Sequence, residues 1–317
     1  MIALSTSILS TDPSQAEQRI RRLLSFDVEG HELSYRIPRS EIEGLGAAIR
    51  AARRRVVSLH SYCPVPRGVL PENAGGDLLP LSSLDREERR AAVRATVTTL
   101  EWAARLEAGA VVVHCGSTPV EYPRDRVKHL FREGRWRGEE GAQSRRRIAE
   151  ERLRAAPRSF DALCHSLDRV LREAARLEIP VAPENRLYPH ELPDAAEFRL
   201  LLEEFRGGPI GSWYDTGHAG YQEALGFQAS EELREAMAPG LLGTHVHDVA
   251  GIKDHLPPGE GGLDLAALLA DLPGEIPLVI ECRPDQSDER IAAGIDHLRR
   301  LREGEPPPCE PFPILGG

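Results

Sequence analysis

The chain has 317 residues, and 40 basic against 50 acidic side chains give it a formal net charge of −10. Hydrophobic residues make up 41% of the chain and charged residues 28%, which excludes a mainly disordered protein. The acidic balance argues against a general nucleic-acid binder, because phosphate contacts need a basic surface. No apolar run approaches the roughly 20 residues needed to cross a bilayer, so no membrane association is expected.

The start of the chain and its cysteines predict where the protein resides. The opening Met-Ile-Ala-Leu-Ser lacks the basic region that begins a secretory signal peptide. The five cysteines are an odd number and show no Cys-x-x-Cys spacing, which favours a reduced protein. We therefore expect a cytoplasmic location.

Short β-type runs alternate with amphipathic helical patterns along the whole chain. Eight strands are predicted: Ile2–Ile8, Val28–Tyr35, Val56–His60, Ala110–His114, Pro180–Glu184, Ile210–Asp215, Leu242–His247 and Leu278–Glu281. The helical patterns between and after them are Ser14–Ser25, Arg39–Arg54, Asp85–Ala108, Ser159–Leu177, Leu192–Phe205, a broken stretch within Tyr221–Ala238, Leu263–Asp271 and Ser287–Arg302. Eight such units predict an α/β protein with a (β/α)₈, or TIM, barrel. An open doubly wound sheet is the alternative, but no Gly-x-Gly-x-x-Gly motif follows the first strand, which removes support for its dinucleotide-binding form.

This pattern predicts one barrel domain over residues 1–303 and a proline-rich tail over 304–317. Two long loops, 61–84 and 116–158, follow the third and fourth strands as insertions. Loops that follow barrel strands lie over the C-terminal face, where active sites are found. The second insertion is rich in arginine, so it is either a solvated helical excursion or a basic lid for an anionic substrate.

The last four strands each end in a residue that can bind a metal. Glu184, Asp215, His245 and Glu281 follow apolar strand cores, and strand ends converge at one face of a barrel. A carboxylate in such a position is costly unless it is paired or coordinated. Three carboxylates and an imidazole suit Mn²⁺, Mg²⁺, Co²⁺ or Zn²⁺, so a divalent metal ion is the predicted cofactor. Histidines also end the third and fourth predicted strands.

Seven motifs resemble the xylose isomerase-like TIM barrel superfamily, which includes sugar isomerases, sugar epimerases and zinc-dependent abasic-site endonucleases. They are Leu59-His60-Ser61-Tyr62, Val113-His114-Cys115-Gly116-Ser117, Pro183-Glu184-Asn185, Tyr214-Asp215-Thr216-Gly217-His218, Thr244-His245-Val246-His247-Asp248, the segment from His255 to Gly261, and Glu281-Cys282-Arg283.

The resemblance implies a divalent-metal-dependent isomerase or epimerase acting on a sugar, a sugar phosphate or a related polyol. Its metal ligands would be Glu184, Asp215, His245 and Glu281. The two glutamates would also be catalytic, removing and returning a proton through an enediolate-like intermediate. The residues expected to contact the substrate are His60, His114, His218, His247, His255 and Arg283. A purely structural hydrogen bond is the other reading of His247.

The resemblance leaves three further functions open. A keto-polyol dehydratase would use the same acid–base pair. A zinc-dependent phosphodiester hydrolase of the endonuclease branch would add an Asp-x-His motif after the seventh strand, but the chain has Lys253-Asp254-His255 there. A lysine there would repel a third zinc ion, and nucleic acid is not expected as a partner. A non-catalytic sugar-binding or partner-binding member is the third alternative, and the sequence leaves a homo-oligomer open.

Overall fold

The structure is a computed structural model that describes residues 1–12 and 15–304. Its strands are β1 (Ile2–Ser5), β2 (Gly30–Leu33), β3 (Arg55–His60), β4 (Ala110–Val113), β5 (Val181–Pro183), β6 (Ser212–Asp215), β7 (Leu241–Val246), β8 (Asp248–Ala250), β9 (Lys253–Leu256) and β10 (Leu278–Ile280). Eight of them form one parallel sheet in the order β5-β4-β3-β2-β1-β10-β7-β6. Parallel bridges from Val181 to Ile210 and from Glu184 to Trp213 join its two edges. The predicted (β/α)₈ barrel is confirmed.

Helices follow the barrel strands and cover the outside of the sheet. They are α1 (Ala16–Ser25), α2 (Ile42–Ala51), α3 (Arg86–Leu106), α4 (Arg124–Arg132), α5 (Glu139–Leu177), α6 (Ala195–Glu204), α7 (Thr216–Leu225), α8 (Ser230–Met237), α9 (Leu265–Ala270) and α10 (Asp288–Arg302). Several begin at side-chain caps, which satisfy amide groups that have no partner within a helix. At α6, Asp194 and Glu197 form a reciprocal capping box. No helix in the described ranges has the length and apolar character required to cross a membrane.

The second predicted insertion differs from its prediction. The helix expected over Ser159–Leu177 begins at Glu139, so about half of the 116–158 segment is a continuation of α5. Pro157 lies inside this helix and does not end it. Ion pairs one turn apart, such as Arg147–Glu151, stabilise the early turns, and Ile148 is buried there. A proline inside a helical pattern is normally read as a boundary, which is why the prediction started too late.

The insertion is also packed rather than solvated. The buried Trp136 donates its indole N–H to the carbonyl of Leu225 at the end of α7, over 2.9 Å. Val127 and Leu130 of α4 join the same apolar cluster. The 61–84 loop contains only a short 3₁₀ turn at Pro71–Asn73 as regular structure. Ser14, the predicted start of the first helix, and residues 305–317 of the predicted tail lie outside the described residues.

The inside of the barrel is a small apolar layer that places the predicted ligands by strand alternation. Its buried members are Ala3, Val57, Ala110, Val112, Ala182, Trp213 and Val279. Trp213 fills much of this space, and an added Cβ at Gly243 would lie 2.3 Å from its ring. Residues two apart on a strand face the same side. Glu184, Asp215 and Glu281 each follow one of these interior residues by two positions, so all three carboxylates point into the C-terminal mouth of the barrel.

The buried His31 on β2 predicts a pH dependence of folding. Its Nε2 accepts a hydrogen bond from Arg54 at 3.3 Å and its Nδ1–H donates to the Leu4 carbonyl at 3.3 Å, an arrangement that requires the neutral ring. Burial, followed by the charge of Arg54, lowers the pKa of His31 to about 4. In the unfolded chain the pKa is near 6.5.

The part of the unfolding free energy that depends on neutral His31 is therefore fully present above pH 6.5. It is lost as pH falls from 6.5 towards 4, because only the unfolded state takes up a proton in this range. The contribution amounts to about 3 kcal/mol, at roughly 1.4 kcal/mol per pH unit. We expect His31→Asn to flatten the fall in unfolding free energy between pH 6.5 and 4, measured by urea denaturation. The exposed His165 provides the matched control, and a His165→Asn variant should keep the wild-type slope. An unchanged slope in His31→Asn would contradict the assignment.

Candidate metal centre

Four side chains from consecutive barrel strands meet at the C-terminal mouth of the barrel. One potential ligand atom from each of Glu184, Asp215, His245 and Glu281 lies within 4.8 Å of the others. All four residues are buried, with Glu281 the most exposed at 5%. The structure thus brings together the complete set of metal ligands that the sequence suggested.

His245 is oriented by carboxylates on both sides of its ring. Its Nδ1 faces Glu184 Oε1 at 2.6 Å and Glu281 Oε2 at 3.3 Å, while its Nε2 contacts Glu32 Oε2 at 2.9 Å. Burial alone would lower the pKa of His245, but Glu32, Glu184 and Glu281 together raise it well above its ordinary value. The cluster therefore strongly favours a positive charge at its centre. With Nε2–H donating to Glu32, Nδ1 is the nitrogen available for a cation.

Asp215 is held by the turn between β6 and α7. Its backbone N–H donates to Asn185 Oδ1 at 2.6 Å, and Asn185 Nδ2 donates back to its carbonyl at 2.9 Å. One carboxylate oxygen also caps α7 by accepting the N–H of His218 at 2.7 Å. Burial opposes ionisation, yet His218 and His247 hold the pKa of Asp215 at about 2. Asp215 is therefore an anion fixed in position before any ligand binds.

Glu184 is shared between the central cluster and two histidines from β3 and β4. Its Oε2 lies 3.2 Å from His60 Nε2 and 2.9 Å from His114 Nε2. His60 donates its Nδ1–H to the Ser61 carbonyl at 3.1 Å, which leaves Nε2 to face the carboxylate. Although burial raises the pKa of Glu184, His245 and the hydrogen bonds from the histidines hold it well below its ordinary value. His60 and His114 thus lie at the centre rather than at its edge.

A second ring of groups lies behind His114. Asp77, from the 61–84 loop, places its carboxylate 3.2 Å from His114 Nδ1 and 2.8 Å from the buried Arg186. Arg186 also contacts Glu191 at 3.1 Å and Glu184 at 3.8 Å. Although burial and Arg186 lower the pKa of His114, Asp77 and Glu184 raise it to about 9. The first insertion therefore contributes directly to the centre.

His218, His247 and His255 form a third group, with one nitrogen from each ring within 4.8 Å of the others. Both nitrogens of His247 are engaged: Nε2 lies 2.9 Å from Asp215 Oδ1, and Nδ1 accepts the backbone N–H of His255 at 2.9 Å. An added Cβ at Gly217 would lie 2.0 Å from the His247 ring, so only glycine permits this packing. These contacts favour the structural reading of His247.

His255 and Arg283 border an open cavity of about 690 Å³ beside Glu281. His255 contacts Asp254 at 3.0 Å, and Arg283 forms an ion pair with the same carboxylate. Tyr35 also lines the cavity, where burial followed by the charge of Glu281 raises its pKa to about 12. The phenol thus stays neutral and can donate a hydrogen bond. A volume of this size can accept a small polyhydroxylated molecule.

The residues fit a divalent cation by the chemistry of their donors. Glu184, Asp215 and Glu281 bring three carboxylates together with little exposure to water, which is costly without a compensating cation. Their oxygens and one imidazole nitrogen suit Mn²⁺, Mg²⁺, Co²⁺ or Zn²⁺. The donor set does not distinguish among these ions.

Sequence reasoning missed several residues of the site. Glu32 lies inside β2, one residue before its end, and in the middle of the predicted strand Val28–Tyr35, so the strand-end rule did not indicate it. Asn185 and Arg186 follow Glu184 directly, but nothing in their spacing indicates their partners. Asp248 accepts amide hydrogen bonds from Val249, Gly259 and Leu263 and so folds the loop containing the β8–β9 hairpin. That hairpin was not predicted.

Comparisons with known proteins agree with this architecture. No curated protein matches the chain in sequence. Among solved structures, a D-tagatose 3-epimerase-like protein is 17% identical with a TM-score of 0.66, over 95% of this chain and 97% of its own. The apo 3-keto-D-glucoside 4-epimerase YcjR from E. coli gives the same identity and TM-score over 95% and 98%. A protein from Thermus thermophilus, soaked with ZnCl₂, is 22% identical with a TM-score of 0.60, over 96% and 98%. The family described as xylose isomerase-like TIM barrel matches residues 20–301, and the chain therefore belongs to that family.

Proposed function

We propose that the protein is a divalent-metal-dependent isomerase or epimerase acting on a sugar or a related polyol. The observation that carries this proposal is the buried cluster of Glu184, Asp215, His245 and Glu281 beside an open cavity. Structures of similar fold include proteins named as a D-tagatose 3-epimerase-like protein and an L-ribulose 3-epimerase. At identities of 17% and 15% these support the fold, and the function rests on the site.

A divalent ion bound at the cluster would polarise a carbonyl and a neighbouring hydroxyl and stabilise the negative charge that develops on the sugar. Glu184 and Glu281 then exchange a proton with the carbon next to the carbonyl, one removing it and the other returning it. Return to the opposite face gives an epimer, and return to the neighbouring carbon gives an isomer. Asp215, held by Asn185 and the start of α7, keeps a fixed charge throughout.

The histidines and the tyrosine around the cluster bind and orient the sugar in this proposal. His218 donates its Nδ1–H to the Asn185 carbonyl at 3.0 Å, which leaves Nε2 as an acceptor for a substrate hydroxyl. Burial lowers the pKa of His218 to about 4, so it accepts hydrogen bonds at neutral pH. His255 and Tyr35 line the cavity on the Glu281 side. His60 and His114 mainly fix the orientation of Glu184.

A phosphodiester hydrolase is the second candidate, and one arrangement favours it. His60 and Glu184 group with His245, and His218 groups with His247 and His255, as potential sites for additional ions. Lys253, however, is exposed at the start of β9 and supplies no acidic ligand to the second group. Dehydration of a keto-polyol by the same two glutamates is a variant of the leading proposal.

Glu184→Gln and Glu281→Gln test the acid–base assignment. The protein loaded with Mn²⁺ should incorporate solvent deuterium next to the carbonyl of a ketose in D₂O, as followed by NMR. Each substitution should reduce this exchange by roughly 10²–10⁴-fold, because general acid–base catalysis contributes that much. Metal content is measured in parallel, since both residues are also proposed ligands. The ion-paired Glu260 supplies the control, and Glu260→Gln should keep the wild-type rate. Survival of both metal binding and turnover in the two site variants would refute the assignment.

Glu32→Gln tests whether the carboxylate behind His245 positions it. A carboxylate that orients a metal-binding histidine typically contributes 10–100-fold to metal affinity. We therefore expect Mn²⁺ to bind about 10–100-fold more weakly, by isothermal titration calorimetry. Turnover at saturating Mn²⁺ should fall by a smaller factor. Glu197→Gln, which alters a buried carboxylate of the α6 cap, should lower stability without changing metal affinity. An unchanged Mn²⁺ affinity in Glu32→Gln would assign Glu32 a purely structural role.

An abasic-site DNA duplex distinguishes the two candidates. We expect no strand cleavage with Zn²⁺, Mn²⁺ or Mg²⁺ under conditions in which deuterium exchange is measurable. Gel electrophoresis of an end-labelled duplex is sufficient as the measurement. Cleavage that disappears in His218→Ala and His255→Ala would favour the hydrolase.

A further inference from the structure

Two arginines at the open cavity have no acidic partner among the residues that the structure describes. Arg36, which follows β2, and Arg124, the first residue of α4, both line the 690 Å³ space that contains Glu281. Neither forms an ion pair with any residue in the described ranges. The Nε of Arg36 is buried without a hydrogen-bond partner. These guanidinium groups are therefore available to a ligand.

Two other arginines of the site do have carboxylate partners. The buried Arg186 lies within 4 Å of three carboxylates, and Arg283 at the same cavity pairs with Asp254. Arg36 and Arg124 are held by aromatic rings instead. Their guanidinium carbons lie 5.7 Å from the Tyr35 ring and 5.3 Å from the Tyr188 ring, respectively. Stacking of this kind orients a guanidinium group and leaves its N–H donors free.

We propose, on the basis of the proposed function, that the natural substrate is an anionic sugar. Its terminal phosphate or carboxylate is bound by Arg36, Arg124 and Arg283, while its carbonyl end lies at the cluster that contains Glu281. Guanidinium groups bind such planar or multi-oxygen anions through paired N–H donors, which a neutral hydroxyl cannot match. The 116–158 segment, through Arg124, thus determines the substrate class.

The surrounding charges are compatible with this assignment. Lys128, one turn after Arg124 on α4, has a pKa lowered first by burial and then by Arg124, as expected beside other cations. Asp254 is engaged by Arg283 and His255, and Asp285 at the rim accepts a hydrogen bond from Gln286 at 3.1 Å. Glu281 belongs to the metal cluster. A substrate anion would complete the pairing of Arg36 and Arg124.

The first experiment measures binding of inorganic phosphate to the Mn²⁺-loaded protein by isothermal titration calorimetry. Arg36→Ala and Arg124→Ala should each weaken phosphate binding at least tenfold. Arg137→Ala removes an exposed arginine of the same segment that does not line the cavity, and it should change binding less than twofold. Equal phosphate affinity in all four proteins, with equal metal content, overturns the inference. Absence of phosphate binding to the wild-type protein overturns it as well.

The second experiment compares deuterium exchange for a ketose, its terminal phosphate ester and the corresponding sugar acid. At least one anionic substrate should have a tenfold higher kcat/KM than the neutral ketose, and that ratio should collapse in Arg36→Ala. The anionic substrate with the larger increase in kcat/KM over the neutral ketose identifies the natural group as phosphate or carboxylate.

The outcomes distinguish a failure of the proposed function from a failure of the anionic-substrate inference. Exchange that is equally fast on neutral and anionic sugars leaves the proposed function standing and refutes the anionic substrate. Arginine-dependent phosphate binding without any exchange refutes the proposed function and leaves the anion site standing. Cleavage of abasic DNA that is lost in Arg36→Ala would assign the arginines to a nucleic-acid backbone and overturn the sugar assignment.

Discussion

The burial of three carboxylates at one end of a narrow barrel is the constraint on which the rest of the site depends. Glu184, Asp215 and Glu281 repel one another, and little water reaches them. Their charge must therefore be balanced from within the protein or by a bound cation. His245 is the nearest internal balance, and Glu32 behind it adds a fourth negative charge instead of relieving the others. His114 and Arg186 add positive charge on the Glu184 side only, and a divalent ion would supply it at the point where the three carboxylates meet.

Two of these carboxylates, Asp215 and Glu184, are held by backbone features that also stabilise the fold. Asp215 caps the N-terminus of α7, and Glu184 lies at the bridge that joins the two edges of the sheet. Because the same residues close the barrel and form the cluster, site geometry and barrel closure are coupled. Removing a carboxylate therefore alters local structure as well as charge.

The sequence predicted those features for which a general rule relates a local residue pattern to a position in the fold. Strand and helix alternation predicted the barrel, and carboxylates or histidines just after apolar strands predicted that Glu184, Asp215, His245 and Glu281 would converge. No such rule predicts contacts between segments that are far apart in the sequence. Asp77 reaches Arg186 across 109 positions, and Glu32 reaches His245 across 213. The early start of α5 was missed for a different reason, because packing and ion pairs outweighed the local signal of Pro157.

Because the arginine-rich segment 116–158 packs on α7, part of it can change in sequence independently of the barrel strands. The segment is anchored by Trp136 and continues into α5, a single helix that ends four residues before β5. The loop and α4 between β4 and α5 can therefore exchange residues without disturbing the strands that form the cluster. Changes in this peripheral module would alter what the cavity binds, while the buried cluster of carboxylates and His245 stays intact.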